Sequence, residues 1–337
     1  MGKKRVIVED GTYHVMSRIA HREFFLGEGE RDRLAGIVWR AASFCGVEVM
    51  AYAVLSNHFH ILVHVPPPRS LTAEEVLARY EAWKGAAAAH VLRTRWRAWT
   101  KEGAGRLAEE EMARLVGRMH SLSKFMQLLK EWYSTDYNAR TGHVGTLWER
   151  VFKSVLVDPS RVAVSALAAY IDLNGVRAGM VESPGAYRWC SYGEACASPA
   201  KRDADPWRDP GAIRRRYAEM YGVKSWSEAR AAHALAMWNL EETRKRRERV
   251  LRQRGKLAEG EHLRIRAFVD GVVVGTRPFV QEMFHLRREV VSKARRSCSG
   301  SKISWTGGLY SLREIRDRPA RGRPGPASGA VRKSRRP

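Results

Sequence analysis

The sequence predicts an α+β fold of the ferredoxin-like type, in which an antiparallel sheet carries helices on one face. Two observations predict it. Segments that alternate apolar and polar residues, as strands do, are separated by segments with apolar residues at helical spacing. In the first 175 residues these segments follow the order strand, helix, strand, strand, helix, strand, helix, which is typical of such a fold.

The first strands and the first helix precede a run of three prolines. Residues 12–20 alternate as a strand, and residues 28–44 repeat apolar side chains at helical spacing as far as Gly46, which ends the helix. Two further strands are predicted over 47–55 and 58–65. The two residues between them are enough for a hairpin, and the prolines end the last of these strands.

The remaining elements of this unit follow a helical insertion. Residues 71–138 are predicted to be largely helical, and residues 146–157 to form the next strand. The last helix begins at Asp158 and Pro159, because an acidic N-cap followed by proline favours a helix start. Gly175 is predicted to end this helix.

The chain is expected to divide into three parts. Residues 1–198 form the α+β domain, and residues 199–318 form a basic, mainly helical C-terminal region that is a candidate for DNA binding. Within that region Asp270 and Gly271 indicate a turn between short strands. Residues 319–337 are rich in Gly, Pro and Arg, a composition that predicts disorder.

The net charge is the strongest compositional signal. The 337 residues carry a formal charge of +24, with a pI near 10.4. Residues 1–200 contain 26 Lys and Arg against 21 Asp and Glu (+5), whereas residues 201–337 contain 34 against 15 (+19). Such a chain has a strong affinity for polyanions, and nucleic acid is the expected partner. A membrane is not expected, because no apolar run approaches the ~20 residues of a membrane span and no basic helix has a clean apolar face.

The cysteines and the N-terminus indicate a cytoplasmic protein. The four cysteines show neither CxxC spacing nor the density of a disulfide framework. The basic start of the sequence is not followed by the hydrophobic region of a signal peptide.

A pair of histidines gives the first chemical signal. His58 and His60 lie in a predicted strand on either side of Phe59, so both imidazoles point to the same face of the sheet. Two imidazoles side by side make half of a divalent-metal site. Two strand histidines that are merely hydrogen-bonded would produce the same pattern.

A second pair lies on the last predicted helix. Tyr170 and Asn174 are four residues apart and therefore share a helical face. Each also has an ordinary interpretation: a packed tyrosine on an amphipathic helix, and an asparagine that bonds the backbone near a helix end.

Four blocks of the sequence, in order, resemble the single-tyrosine HUH transposases, in particular the REP-associated tyrosine transposases and their insertion-sequence relatives. The blocks are TYHVMSR (12–18), AYAVLSNHFHILV (51–63), YNARTGHVGTLWERVFKSVLV (137–157) and AAYIDLNGVRAGMVESPGAYRWCSY (168–192). The resemblance covers about residues 12–192 and implies the HUH endonuclease fold.

The resemblance also implies a role for each candidate residue. His58 and His60 match the metal-binding histidines, Tyr170 matches the nucleophile, and Asn174 matches the polar residue that supplies a third metal ligand. Gly175 departs from the family, which usually has proline there, and a glycine is expected to loosen this helix end. His64 shares the parity of the pair and is expected to border the site.

The implied reaction is metal-assisted cleavage and rejoining of single-stranded or hairpin DNA through a 5′-phosphotyrosine. Two imidazoles favour Mn²⁺ on affinity, and cellular abundance favours Mg²⁺. Both a monomer and a homodimer are known arrangements for such relatives. Aromatic and basic residues beside the tyrosine helix are candidates for DNA contact, although each can equally be a packed or solvated residue. They are Trp148, Arg150, Lys153 and Arg177.

Other functions are compatible with the same sequence. A domesticated relative would act on chromosomal repeat hairpins without moving its own gene, and a non-catalytic DNA-binding regulator would use the same fold. A zinc hydrolase would need a third His, Cys or carboxylate ligand with a recognisable spacing, which the sequence does not show. A replication initiator or relaxase would share the chemistry but generally orders its motifs differently.

Overall fold

The computed structural model describes residues 5–149, 151–197, 209–257, 266–291, 301–303 and 308–312. Its centre is one mixed sheet. The strands are β1 (Gly11–Arg18), β2 (Glu48–Val54), β3 (His58–Val65), β4 (Lys153–Val157), β5 (Val273–Gly275), β6 (Ser301–Lys302) and β7 (Tyr310–Leu312). They lie in the order β2-β3-β1-β4-β5-β7-β6.

The four longer strands form an antiparallel core with β1 and β3 at its centre. β1 pairs with β3 along its whole length, from Gly11 opposite Val65 to Arg18 opposite His58. β2 continues β3 through the hairpin, and the amide of Leu55 donates a hydrogen bond to the His58 carbonyl oxygen at 2.8 Å. The order of these four strands is that of a ferredoxin-like sheet, and the predicted α+β class is confirmed.

Helices cover both faces of this sheet. The helices before β4 are α1 (Glu28–Cys45), α2 (Ala73–Lys84), α3 (Ala86–Lys101), α4 (Gly105–Val116) and α5 (Leu122–Thr141), so the predicted helical insertion is present. α1 lies on the face of Phe59 and Ile61, where Trp39 contacts Tyr52 edge-on at 5.9 Å between ring centroids. α5 lies on that same face. The expectation of helices on one face therefore holds for the two main helices of the ferredoxin-like unit.

The helix after β4 packs on the opposite face. α6 (Arg161–Asp172) is followed at once by the short α7 (Asn174–Arg177), which passes through Gly175. The predicted helix end at Gly175 is therefore wrong: the chain keeps helical hydrogen bonds there, as from the Arg177 amide to the Leu173 carbonyl oxygen at 3.0 Å.

The boundaries around β4 also differ from the predictions. Only Lys153–Val157 pairs as a strand, and α6 begins after Ser160 rather than at Asp158. The Asp158 carboxylate accepts bonds from the Ser160 amide at 2.8 Å and from both the amide and the hydroxyl of Thr276, at 2.8 and 2.6 Å. The predicted cap thus joins β4 to a distant segment of the chain.

That distant segment extends the sheet. β5 runs parallel to β4, with Leu156 opposite Val273. It is flanked by α11 (Arg266–Asp270) and α12 (Arg277–Val291), so the turn at Asp270 and Gly271 joins a helix to a strand rather than two strands. The predicted domain boundary after residue 198 and the predicted tail at 319–337 both lie outside the described residues.

Three more helices pack against α6: α8 (Ser191–Cys196), α9 (Pro210–Tyr221) and α10 (Trp226–Gln253). They meet at the buried carboxylate of Asp172. Tyr217 donates a hydrogen bond to this carboxylate at 2.6 Å, and a ring nitrogen of the buried His233 lies 2.9 Å from it. The Tyr192 amide donates to its other oxygen at 3.1 Å. Within the described residues no helix is long and apolar enough to cross a membrane.

We expect Tyr217→Phe to destabilise the fold by about 1–3 kcal/mol, because it removes a hydrogen-bond donor from a fully buried carboxyl group. Chemical denaturation measures the free energy of unfolding. Tyr80→Phe, at a half-buried tyrosine on α2, is the control. Equal stability of the two variants would show that the Asp172 carboxylate does not need this donor.

Candidate active site

His58 and His60 project from β3 on the face that α6 covers. Their ring centroids are 5.1 Å apart, nearly perpendicular. A third histidine lies beside them: His14 of β1 stacks on His60 with centroids 5.1 Å apart, and its Nε2 lies 2.9 Å from His60 Nδ1. The pairing of β1 with β3 sets this geometry, because Met16 is opposite His60 and His14 is one pleat along.

Tyr170 of α6 closes the cluster from above. Its ring stands edge-on to His60 at 5.9 Å and to His14 at 6.0 Å between centroids. Phe268 of α11 contacts it at 5.2 Å, and the Arg177 guanidinium carbon lies 5.0 Å from the centre of the Tyr170 ring. The tyrosine is only 7% exposed. The structure therefore brings the predicted nucleophile and the predicted histidine pair together in one chain.

Hydrogen bonds set the orientation of His58. Asn57 donates from Nδ2 to the Arg22 carbonyl oxygen at 3.0 Å, which identifies its other amide atom as the oxygen. This oxygen lies 2.7 Å from His58 Nδ1 and can only accept. His58 Nδ1 therefore carries the proton, and Nε2 is the nitrogen with a lone pair in the neutral ring.

Burial keeps the inner histidines neutral. It lowers the pKa of His14 to about 4, despite a bond to a backbone carbonyl that acts in the other direction. Burial, followed by the nearby His14 and His58, holds the pKa of His60 well below its usual value. Neutral imidazole is the form that binds a metal, so His60 needs no deprotonation at pH 7.

Asn174 lies one turn beyond Tyr170 and is buried. Its amide nitrogen donates to the carbonyl oxygens of Tyr170 and Ile171, both at 3.1 Å, so the side-chain oxygen is the atom that can bind a cation. Two imidazoles and an amide oxygen would make a mixed N/O donor set of the kind that suits Mn²⁺ or Mg²⁺. No group of three or more His, Cys, Asp or Glu side chains that could hold a metal occurs in the described part of the chain.

The predicted DNA-contacting residues have different environments. Arg177 is partly buried, with its side chain 16% exposed, and pairs with Glu241 of α10 at 3.3 Å. Burial lowers its pKa. Lys153 is half exposed and pairs with Asp270 at 2.8 Å. Arg150 lies outside the described residues. Arg177 thus belongs to the site around Tyr170.

Trp148 requires a correction. Its ring is 4% exposed, contacts Phe59 at 5.4 Å between centroids, and donates from Nε1 to the Lys130 carbonyl oxygen at 3.1 Å. A buried ring that joins the sheet to α5 cannot stack on a base, so Trp148 is a core residue. His64 bonds to Thr12 and pairs with Asp10 at 3.3 Å, two pleats from His60.

Two residues of the cluster were missed in the sequence. His14 lies in a block that resembles the family, but its closeness to His60 depends on the register between β1 and β3. Phe268 is 254 residues from His14, and only the extension of the sheet by β5 brings its carbonyl oxygen to 2.7 Å from His14 Nδ1. The alternation of β1 could have indicated that His14 shares one face of its strand with Thr12 and Met16, but not that this face meets His60.

Gly175 allows the Tyr187 ring to pack closely against the helix backbone, and does not loosen the helix. A Cβ at this position would lie 2.6 Å from Tyr187 Cγ. The Tyr187 ring is buried and held by a 2.6 Å hydrogen bond from its hydroxyl to the Val54 carbonyl oxygen, so it cannot move aside cheaply. Tight packing, not flexibility, therefore explains the glycine next to Asn174.

One segment of the chain matches a known protein family. Residues 7–79, which hold β1 to β3 with the three clustered histidines, match the family model described as "Transposase IS200 like". Among solved structures it is similar to a REP-associated tyrosine transposase bound to a REP hairpin, at 12% identity and a TM-score of 0.35, over 61% of this chain and 96% of that one. No curated protein matches the chain.

We expect Gly175→Ala to destabilise the protein by about 1–3 kcal/mol, because the added methyl group overpacks the site against Tyr187. Thermal unfolding measures the change. The control is Gly29→Ala on α1, where a Cβ would meet nothing within 4 Å. The control should be neutral or slightly stabilising. An unchanged melting temperature for Gly175→Ala would contradict the close approach.

Proposed function

We propose that this protein is a metal-dependent transposase that cuts and rejoins single-stranded or hairpin DNA with Tyr170 as its nucleophile. The contact of Tyr170 with His60 and His14 in one chain carries the proposal. The proposed nucleophile therefore lies beside His60, one of the proposed metal ligands. A structural role alone would not require this arrangement.

In the proposed reaction the Tyr170 oxygen attacks a backbone phosphorus. A bond from phosphorus to the phenol oxygen forms, the bond to the 3′-oxygen breaks, the phenol loses its proton, and the 3′-oxygen gains one. A phenol with a pKa near 10 is a weak nucleophile at pH 7. The Arg177 guanidinium lies 5.0 Å from the ring centre, so its positive charge is placed beside the phenol that attacks.

His58, His60 and Asn174 would hold the divalent metal. When bound, the metal would supply Lewis-acid stabilisation of the charge that develops on the phosphate and the leaving oxygen. Because the 5′-phosphotyrosine keeps the energy of the phosphodiester, a 3′-hydroxyl can attack it and rejoin strands without a nucleotide cofactor. One chain contains the whole proposed set, so a single copy is sufficient for one cleavage.

The C-terminal half of α10 supports binding to DNA. Arg246 and Arg249 lie one turn apart and are exposed. Trp238, two turns before Arg246, is 62% exposed and offers a ring on which a base can stack. Together with the net charge of +24, this helix favours contact with DNA phosphates.

A second candidate is a DNA-binding protein without catalysis, acting on chromosomal repeat hairpins. The burial of Tyr170 favours it, since a tyrosine that is 7% exposed must be uncovered before a phosphate can reach its oxygen. The same experiment separates the two candidates.

We expect the wild-type chain to form a covalent adduct with labelled hairpin DNA in Mg²⁺ or Mn²⁺, and Tyr170→Phe to form none. Loss of a residue that only orients a metal ligand lowers activity by up to roughly 100-fold. His58→Ala removes a proposed ligand itself and should therefore lower adduct formation by more than that. Denaturing gels measure the adduct. Tyr137→Phe and His64→Ala are the controls and should keep activity. Tight binding by the wild type without any adduct would establish the non-catalytic candidate.

We expect Arg246→Ala/Arg249→Ala to weaken DNA binding equally for all sequences, because phosphates carry no sequence information. The slope of log K against log salt should decrease by about 0.7 per lost phosphate contact on single strands. Fluorescence anisotropy over a salt series measures it. Arg97→Ala/Lys101→Ala, which removes two exposed charges from α3, is the control. Equal slopes for both double variants would exclude α10 as the DNA contact.

A further inference from the structure

We infer that His14 is a positioning residue that fixes which nitrogen of His60 faces the metal, and that the C-terminal segment around Phe268 is therefore part of the active site. This inference rests on the proposed function for the role of His60. The observation behind it is a chain of two short hydrogen bonds, from His60 through His14 to the Phe268 carbonyl oxygen, at 2.9 and 2.7 Å.

The direction of these bonds follows from the chemistry of the atoms. The Phe268 carbonyl oxygen can only accept, so His14 Nδ1 carries a proton. Between His14 Nε2 and His60 Nδ1, one nitrogen must then donate and the other accept. If His14 donated, it would carry protons on both nitrogens and be a cation at a site where it is 1% exposed. Burying that charge is costly, so His60 donates.

The consequence falls on His60. With its proton on Nδ1, the lone pair of the neutral ring lies on Nε2. His58 reaches the same state through Asn57. Both histidines of β3 thus carry their lone pair on the same nitrogen and on the same face of the sheet. Metal-binding histidines are generally oriented by such a bond from their other ring nitrogen, although here the partner is a histidine that itself depends on a backbone carbonyl.

The segment that supplies this carbonyl is attached to the core at two further points. Asp270, two residues from Phe268, pairs with Lys153 of β4 at 2.8 Å. Thr276 bonds to Asp158 at the other end of β4. The Phe268 ring also covers Tyr170. The segment 266–276 therefore contacts both halves of the proposed site, the nucleophile through a ring and the histidines through a carbonyl.

The test uses the metal-free full-length chain labelled with ¹⁵N-histidine. Two-bond ¹H–¹⁵N spectra identify the protonated nitrogen of each ring. In the wild type we expect His60 to carry its proton on Nδ1. In His14→Phe, which removes both bonds in a similar volume, the Nδ1 proton loses its acceptor and His60 should shift toward the Nε2-protonated form. His14→Gln keeps one donor and one acceptor and should restore the wild-type spectrum.

Mn²⁺ affinity, measured by electron paramagnetic resonance, is the second readout. His14→Phe should weaken Mn²⁺ binding by about 10–100-fold, the usual effect of losing an orienting partner. His14→Gln should bind within a few-fold of the wild type, and His64→Gln, on the same strand face, should match it. Thermal unfolding of each variant separates a loss of positioning from a loss of fold.

The outcomes separate this inference from the proposed function. A wild-type His60 protonated on Nε2, or an unchanged Mn²⁺ affinity in folded His14→Phe, overturns the inference even if the DNA adduct forms. A wild type that binds no Mn²⁺ overturns the ligand role whichever nitrogen carries the proton. If His14→Phe does not fold, the wild-type spectrum and His14→Gln still decide. If the spectra and the Mn²⁺ affinities are as expected but no DNA adduct forms, the role of His14 is supported and the proposed nuclease activity is rejected.

Discussion

The antiparallel pairing of β1 with β3 is the constraint on which the rest of the site depends. Side chains alternate between faces along each strand, so the register places His14, His58 and His60 on one face and Phe59 on the other. A slip of one residue would turn Phe59 toward α6 and bury both imidazoles against α1. Phe59, between the two histidines, therefore has a structural role, because it packs the opposite face of the sheet against Trp148 and α5.

A second constraint acts on α6. The Asp172 carboxylate and the contact of Gly175 with Tyr187 attach the C-terminal end of this helix to α8, α9 and α10. Tyr170 lies two residues before the first of these attachments and five residues before the second. A rigid helix end favours a defined distance between nucleophile and metal ligands, but the burial of Tyr170 means that DNA can reach it only if something moves.

The sequence was sufficient for elements whose signals are local. The first helix ends at Gly46 in a left-handed conformation, as predicted, and the alternation of β3 placed both histidines correctly. Predictions failed where a distant partner decides. Asp158 looks like a helix cap, but Thr276 binds its carboxylate from 118 residues away. Gly175 looks like a helix end, but the Tyr187 ring requires it. Trp148 was a candidate for DNA contact because the sequence does not show that Phe59 and Lys130 pack around its ring.

The same argument applies to the C-terminal region. Its charge is a property of composition, and composition favours DNA binding without placing any atom near the chemistry. The structure divides this region into two kinds of contact. α10 presents exposed arginines to solvent, whereas Glu241 on the same helix holds Arg177 beside Tyr170. If α10 contacts DNA on its exposed side, as proposed, then its buried side, which holds Arg177, provides a physical route by which DNA binding can alter the nucleophile. Because Glu241 also pairs with Arg244, a shift of α10 would change the charge around Arg177 directly.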